Sequence, residues 1–356
     1  MALLKKINFV GGRVLKTGIA VFLTALICEL LDWPPMFAVI TAIVTIEPTA
    51  ADSIKKAYVR FPASAIGAAF SVVFNFAFGH SPITYMLVAV ATIIVCHRLH
   101  LEDGALVAVL TGVAMVSTVN DHYMSSFFIR LGTTLTGLTV STLVNLLMIR
   151  PDYSNTIQFK IQQLILETGN LIEMRGEEIV KHHPLHPVTK SDFRRILKNV
   201  EGIETLCRYQ KQEWKLHAFS RKDMREFHYE YKKLTLLRQI HYHVGNLLAI
   251  PSIQLEKEKT IVITRMSKSI KSTLHHPDFK IDDHHEALSG ELLKLFKKEV
   301  EARDESAHRF SYANVIYYEF LSIHDLLEEL NHIHQLEHRH KKLLDQSWKS
   351  AEISSD

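Results

Sequence analysis

The sequence predicts an all-α protein, with a six-helix transmembrane domain in residues 1–150 followed by a cytoplasmic helical bundle in residues 151–356. Three observations lead there. Six apolar segments follow one another before Pro151, and beyond it long charged stretches carry apolar residues at three and four spacing. Arg60, Gly67 and Asn75 also recur 70 positions on as Arg130, Gly137 and Asn145. Both copies of that triplet lie in apolar helical stretches, three apolar segments make up each copy, and three is odd. The second copy should therefore enter the membrane from the opposite side, which is a 3+3 inverted repeat.

The two halves differ sharply in composition. Up to Pro151 there are ten Lys+Arg and seven Asp+Glu, against thirty-one of each in the remainder. Histidine follows the same divide, with four in the first half and seventeen in the second. One half suits lipid and the other water. A net charge of +3, with bases matched by acids in the second half, speaks against nucleic acid as a partner. Cys28, Cys96 and Cys207 are too few and too scattered for a disulfide framework. The basic N-terminus and its apolar run resemble a signal peptide, but no small-residue cleavage site follows, so the segment is read as mature protein.

In order, the segments are Val14 to Leu31, Pro35 to Ile46, Phe61 to Phe78, Pro82 to Cys96, Ala105 to Val119 and Phe127 to Ile149. Several fall short of the roughly 20 residues that span a bilayer. Six in succession with almost no charge inside them would leave a water-soluble protein too little polar surface. Orientation comes from the basic residues. Lys5, Lys6, Arg13 and Lys16 precede the first segment, Lys55, Lys56 and Arg60 lie between the second and third, and Arg98 and Arg150 follow the fourth and sixth. All lie on one side, so the N-terminus and the charged half should be cytoplasmic. The opposite connections carry Glu29 and Asp32, then His80, then Asp121 and His122.

Arg130 breaks that bias while matching the repeat. An arginine is expensive at membrane depth, so Arg60 and Arg130 point to a polar pathway, with interfacial snorkelling of the long side chain as the alternative. The second and fifth segments are short and bounded or loosened by Trp33-Pro34-Pro35, Pro48, Gly104 and Gly112. Broken segments at matching positions mark a midplane binding site. Thr41 and Thr111 match at the same offset and are placed near the centre of the pathway, or else bond back to their own helix carbonyls. Asn75 and Asn145 complete the pathway set. Glu47, Asp32 and Asp121 are candidate proton-coupling groups, or interfacial anchors. Gly67 and Gly137, with Ala63, Ser64, Ala68, Gly132, Thr133 and Thr136 around them, make small faces for close helix packing.

Thr41-Ala42-Ile43-Val44, Glu47-Pro48-Thr49, Ser53-Ile54-Lys55-Lys56, and Arg60 followed by Gly67 resemble the bacterial aromatic acid exporter family, within the fusaric-acid-resistance-type superfamily. The resemblance covers about residues 3 to 150 and implies a six-span domain. The family's Arg-to-Gly step is kept in Arg130-Leu131-Gly132, whereas Pro62 stands at the matching place after Arg60. Residues beyond Pro151 are similar to the helical cytoplasmic domain of Gram-positive-type members. Plant malate-permeable anion channels share this plan, and the resemblance to them implies a homodimer with basic residues along the pore.

The charged half begins with a stripe of Ile157, Ile161, Leu164, Ile165, Thr168, Leu171 and Ile172, the buried edge of an amphipathic helix. Breaks are expected near Pro184 and Pro187, at Pro251 and around Pro277, giving five or six helices that must pack as a bundle. His334 and His338, four apart on one helix face, have metal-ligand spacing; histidine is so common here that such pairs are expected by accident, and solvated or core-edge roles are assigned to them rather than a metal. Neither a Gly-x-Ser-x-Gly elbow, a Walker loop nor a Gly-x-Gly-x-x-Gly element occurs, which argues against an enzyme, a cofactor and ATP-driven transport. Three functions fit: efflux of small organic, aromatic carboxylate-like anions; a passive anion channel gated by the cytoplasmic bundle; or a membrane-anchored sensor or binding protein.

Overall fold

The computed structural model describes residues 11–118, 123–148, 152–216, 220–301 and 311–353, with side chains to residue 342. Lys5, Lys6, Val119, Asp121, His122, Ile149, Arg150 and Pro151 lie outside the described residues. Everything described is helix, turn or coil, and the chain divides into two units. The first comprises Met1–Asp152 with Tyr209–Ala218; the second comprises Tyr153–Arg208 with Phe219–Asp356.

Six helices make up the described part of the first unit before Asp152: α1 (Gly11–Leu30), α2 (Pro35–Thr45), α3 (Ala50–Phe78), α4 (Pro82–Arg98), α5 (Glu102–Val116) and α6 (Tyr123–Leu147). Each apolar segment became one helix. α3 starts well before its apolar segment, because the Thr49 hydroxyl accepts from the Asp52 amide and makes the charged stretch through Lys55 and Lys56 helical. Pro62 sits inside this helix. α3 and α6 are long and apolar enough to cross a membrane; α2 and α4 are shorter apolar helices. At 1.5 Å per residue, the eleven residues of α2 rise only about 16 Å, half of a hydrocarbon core.

The principal pairings are α3 with α5 and α2 with α6; α1 with α2 and α4 with α5; α1 with α6 and α4 with α3; and α3 with α6. Exchanging α1–α3 for α4–α6 maps this scheme onto itself. The closest approaches obey the same exchange. A methyl group added at Gly67 would lie 2.2 Å from the Ala108 carbonyl oxygen, and one added at Gly137 would lie 2.4 Å from that of Ala38, each partner being 70 positions from its counterpart. Only glycine lets these backbones meet. Ser64 and Thr134, also 70 apart, touch each other through their hydroxyls at 3.4 Å.

Small and weakly polar side chains fill the interior of this unit, including Ala20, Ala63, Ala68, Cys96, Ala108, Thr45, Ser71 and Thr92. Large apolar ones, such as Phe22, Leu30, Phe76, Leu106, Leu135 and Leu147, face outward. That is the reverse of a water-soluble domain and the arrangement of helices solvated by lipid.

Six helices also carry the second half: α7 (Ser154–Val180), α8 (Pro187–Leu216), α9 (Arg221–Ala249), α10 (Lys257–His275), α11 (Asp283–Glu301) and α12 (Tyr312–Ile353). Pro184, Pro251 and Pro277 lie in the connections, and Pro187 opens α8, where its missing N–H costs nothing. The apolar stripe of α7 is buried along its length. It packs on α10 and α9, while α12 closes against α9, α10 and α11. Arg175, 1% exposed, donates to the carbonyls of Leu247 and Ile250 at 3.0 and 2.7 Å and to Glu178 at 3.0 Å, so it caps the C-terminal end of α9 from the core.

Candidate functional site

The short helix α2 ends at Thr45 and no helix resumes until Ala50, which strands several carbonyl oxygens in a buried region. Side chains from three neighbouring helices take them up. Arg13 of α1 donates to Ile46 O at 3.1 Å, Arg60 of α3 to Val44 O at 3.0 Å, and Ser53 of α3 to Thr45 O at 3.0 Å. Asn145 of α6 donates its amide to Glu47 O, Thr49 O and the Ser53 hydroxyl at 3.1, 3.2 and 2.8 Å, while its own oxygen accepts from Lys16 at 2.9 Å. The Glu47 carboxylate is shared by Arg60 at 2.9 Å and Lys56 at 3.1 Å.

Residues 209–218 of the same unit add acceptors and donors here. Glu213, fully buried, accepts from the Ala50 amide at 2.8 Å, putting a carboxylate on the N-terminus of the 29-residue helix α3. Gln212 bonds to Thr49 at 3.2 Å and donates to Asp52 at 3.1 Å.

Asn75 does in its copy what Asn145 does in the other. It donates to Val116 O at 3.2 Å, at the end of α5. Thr41 donates to Phe37 O at 2.9 Å, its own helix, and its Cβ lies against Gly137. Thr111 is buried on α5. Asp32 is exposed in the turn after α1, with φ of 54°.

Arg130 is 5% exposed on α6, and its guanidinium carbon lies 3.7 Å from the centroid of the Phe37 ring. Its Nε and one terminal nitrogen have no hydrogen-bond partner among the described residues. Trp33 lies against Gly132, so aromatic rings from the start of α2 flank this turn of α6. A buried cation stacked on one ring face in this way keeps N–H donors from which an anion can accept.

The structure thus gathers Arg60, Glu47 and Asn145 at one end of α2, sets Asn75 at the end of α5, and leaves Asp32 exposed elsewhere. Asp121 lies outside the described residues. The sequence reading missed Lys16, Ser53, Gln212 and Glu213; Lys16 counted only as an orienting charge, and nothing in residues 209–218 signalled membership of the first unit. In the second unit His334 faces Asp278 at 3.4 Å and the Phe279 ring, and His338 lines a surface hollow beside it.

Comparison with known proteins agrees with this picture. The model of aromatic acid exporter family member 1 matches residues 8–148. A UPF0421 protein of Bacillus cereus (strain ATCC 10987 / NRS 248) is 43% identical over 339 residues, covering 92% of this chain and 95% of the relative. UPF0421 proteins of Oceanobacillus iheyensis and Staphylococcus haemolyticus are 41% and 35% identical, each covering 90% of this chain and at least 95% of the relative. With such coverage, the chain belongs to the UPF0421 family, and its residues 8–148 match the aromatic acid exporter family domain.

Proposed function

We propose that this protein is a multi-pass membrane transporter that expels small organic anions, aromatic carboxylates foremost, through the first unit, with the N-terminus and second unit in the cytoplasm. The observation that carries the reading is the Arg130 guanidinium: buried, stacked on Phe37, and short of acceptors among the described residues. A carboxylate supplies the missing acceptors and an aromatic ring suits the neighbourhood of Phe37 and Trp33. The exchange symmetry of the helix pairings, the small-residue contacts at Gly67 and Gly137, and the paired arginines support an inverted repeat of six spans.

Arg60 belongs to the cytoplasmic end of the path in this reading. There its terminal nitrogens are held by Glu47 and Val44 O while its Nε has no partner among the described residues, so the arriving anion competes with Glu47 for Arg60 and Lys56. Among the described coupling candidates, Glu47 ties its charge to the pathway cations through Arg60 and Lys56, and in this reading it couples the outward flux to entering protons.

The test is uptake of benzoate-class anions into inverted vesicles across an imposed pH step. Arg130→Gln should lower flux ten- to a hundredfold, the range expected for losing a charge-assisted pair, with expression unchanged; Arg130→Lys should restore part of it. Undiminished flux in Arg130→Gln would remove this residue from the path. Currents that ignore pH and reverse at the anion equilibrium potential would replace the carrier by a channel.

A further inference from the structure

Away from the first unit, three helices of the second unit bring a chain of polar groups to one point. The Ser269 hydroxyl on α10 lies 2.8 Å from Nδ1 of His285 on α11, and Nε2 of His285 lies 3.1 Å from Nδ1 of His324 on α12. Nε2 of His324 then faces the Glu328 carboxylate at 3.5 Å, and one donor atom each from His324, Asp325 and Glu328 lie within 4.8 Å of one another. His285 is fully buried, His324 is 9% exposed, and the two carboxylates reach solvent.

We infer that His324, Asp325 and Glu328 form a binding site for a divalent transition-metal ion, zinc being the best match, with His285 and Ser269 as its support. Nitrogen and carboxylate oxygens are the donor types zinc takes, at about 2.0–2.2 Å. Glu328 lies four positions from His324 and three from Asp325, so on the helix surface it neighbours both. The two exposed carboxylates close on the ion by changing rotamer, and water completes the shell.

The buried relay gives the site its second shell. A ligating imidazole donates its other N–H to a partner that fixes the tautomer. Here Nδ1–H of His324 donates to Nε2 of His285, and Nδ1–H of His285 donates to the Ser269 oxygen, leaving the lone pair on Nε2 of His324 for the metal. Without metal the same three groups run the other way: the serine donates to His285, His285 to His324, and Nε2–H of His324 to Glu328. Serine both donates and accepts, so the relay reverses with no net proton taken up or lost.

Binding is measured on the full-length protein in detergent, stripped with a chelator and titrated with zinc chloride by calorimetry, with bound metal counted after dialysis. Wild type should bind zinc at a site that is lost in His324→Gln and in the surface double variant Asp325→Asn/Glu328→Gln. His285→Gln should weaken it about 10- to 100-fold, the usual cost of removing such support. His334→Gln/His338→Gln should leave it unchanged. Circular dichroism and a thermal melt without metal establish that each variant folds, and the exposed double variant decides the matter where a histidine variant does not. Wild type that binds no zinc, or a double variant that binds it as wild type does, overturns the site. The readout is independent of transport, so it stands apart from the fate of the exporter reading.

Discussion

A glycine can be exchanged for alanine only where the new methyl group has room, and Gly67 and Gly137 have none. Backbone carbonyls stand at 2.2 and 2.4 Å from the added carbon, and backbone does not rotate away as a side chain would. Gly67→Ala and Gly137→Ala should each destabilise the first unit by about 1–3 kcal/mol, seen as earlier thermal aggregation in detergent. Gly202, exposed on α8 with open space around it, should behave oppositely: Gly202→Ala gains about 0.5–1 kcal/mol by helix propensity. His241 offers a pH-dependent case. It stacks on Phe193, bonds to Phe193 O at 3.1 Å, and buries Nδ1 with no partner among the described residues. Burial lowers its pKa from 6.5 to about 4. The unfolded chain therefore binds the extra proton between those values, and stability falls as pH drops from 6.5 toward 4, by up to about 3 kcal/mol. Thermal melts at pH 7.5 and 5 should show this loss in wild type and a smaller one in His241→Phe.

Among the elements, α2 is the one whose integrity depends most on side chains from elsewhere. Its last carbonyls and those of Ile46, Glu47 and Thr49 are taken up by Arg13, Ser53, Arg60 and Asn145. Asn145→Ala would orphan two carbonyls and strip Lys16 of its side-chain acceptor, while Asn75→Ala frees only Val116 O. At about 1 kcal/mol per bond and more for a charged group, Asn145→Ala should cost about 3 kcal/mol and Asn75→Ala about 1. Hydrogen exchange of the α2 amides should rise in the first variant only. The shortness of α2 was legible from Pro35 and Pro48, and the triplet flagged both asparagines. Their work as staples for broken helix ends was not legible, because a carbonyl's lack of a partner is a property of the folded backbone. Charged Lys55 and Lys56 hid the true start of α3 for a similar reason: a periodicity reading stops at charge, whereas the Thr49 cap decides where the helix begins.

For the whole molecule, the change from an apolar to a charged half near Pro151 was the sequence's sign of a division, and prolines marked the helix breaks of the second half. Residues 209–218 escaped, since α8 is continuous in sequence while its last turns belong to the first unit. The proposed threading has a direct check. In a variant lacking Cys28, Cys96 and Cys207, single cysteines at Asp32 and His80 should react with an impermeant thiol reagent on intact cells. Those at Lys55 and Arg98 should react only after the cells are opened. Reaction of all four from one side would end the inverted arrangement.

The hydroxyl contact between Ser64 and Thr134 carries a lesson about ancestry. If the two copies descend from one duplicated gene, these amino acids began as a single codon, and an unfused ancestor would have met its own twin at that position. Fusion released each copy from mirroring the other. In the present chain Arg60 has a carboxylate companion in Glu47, whereas Arg130 lies over the ring of Phe37.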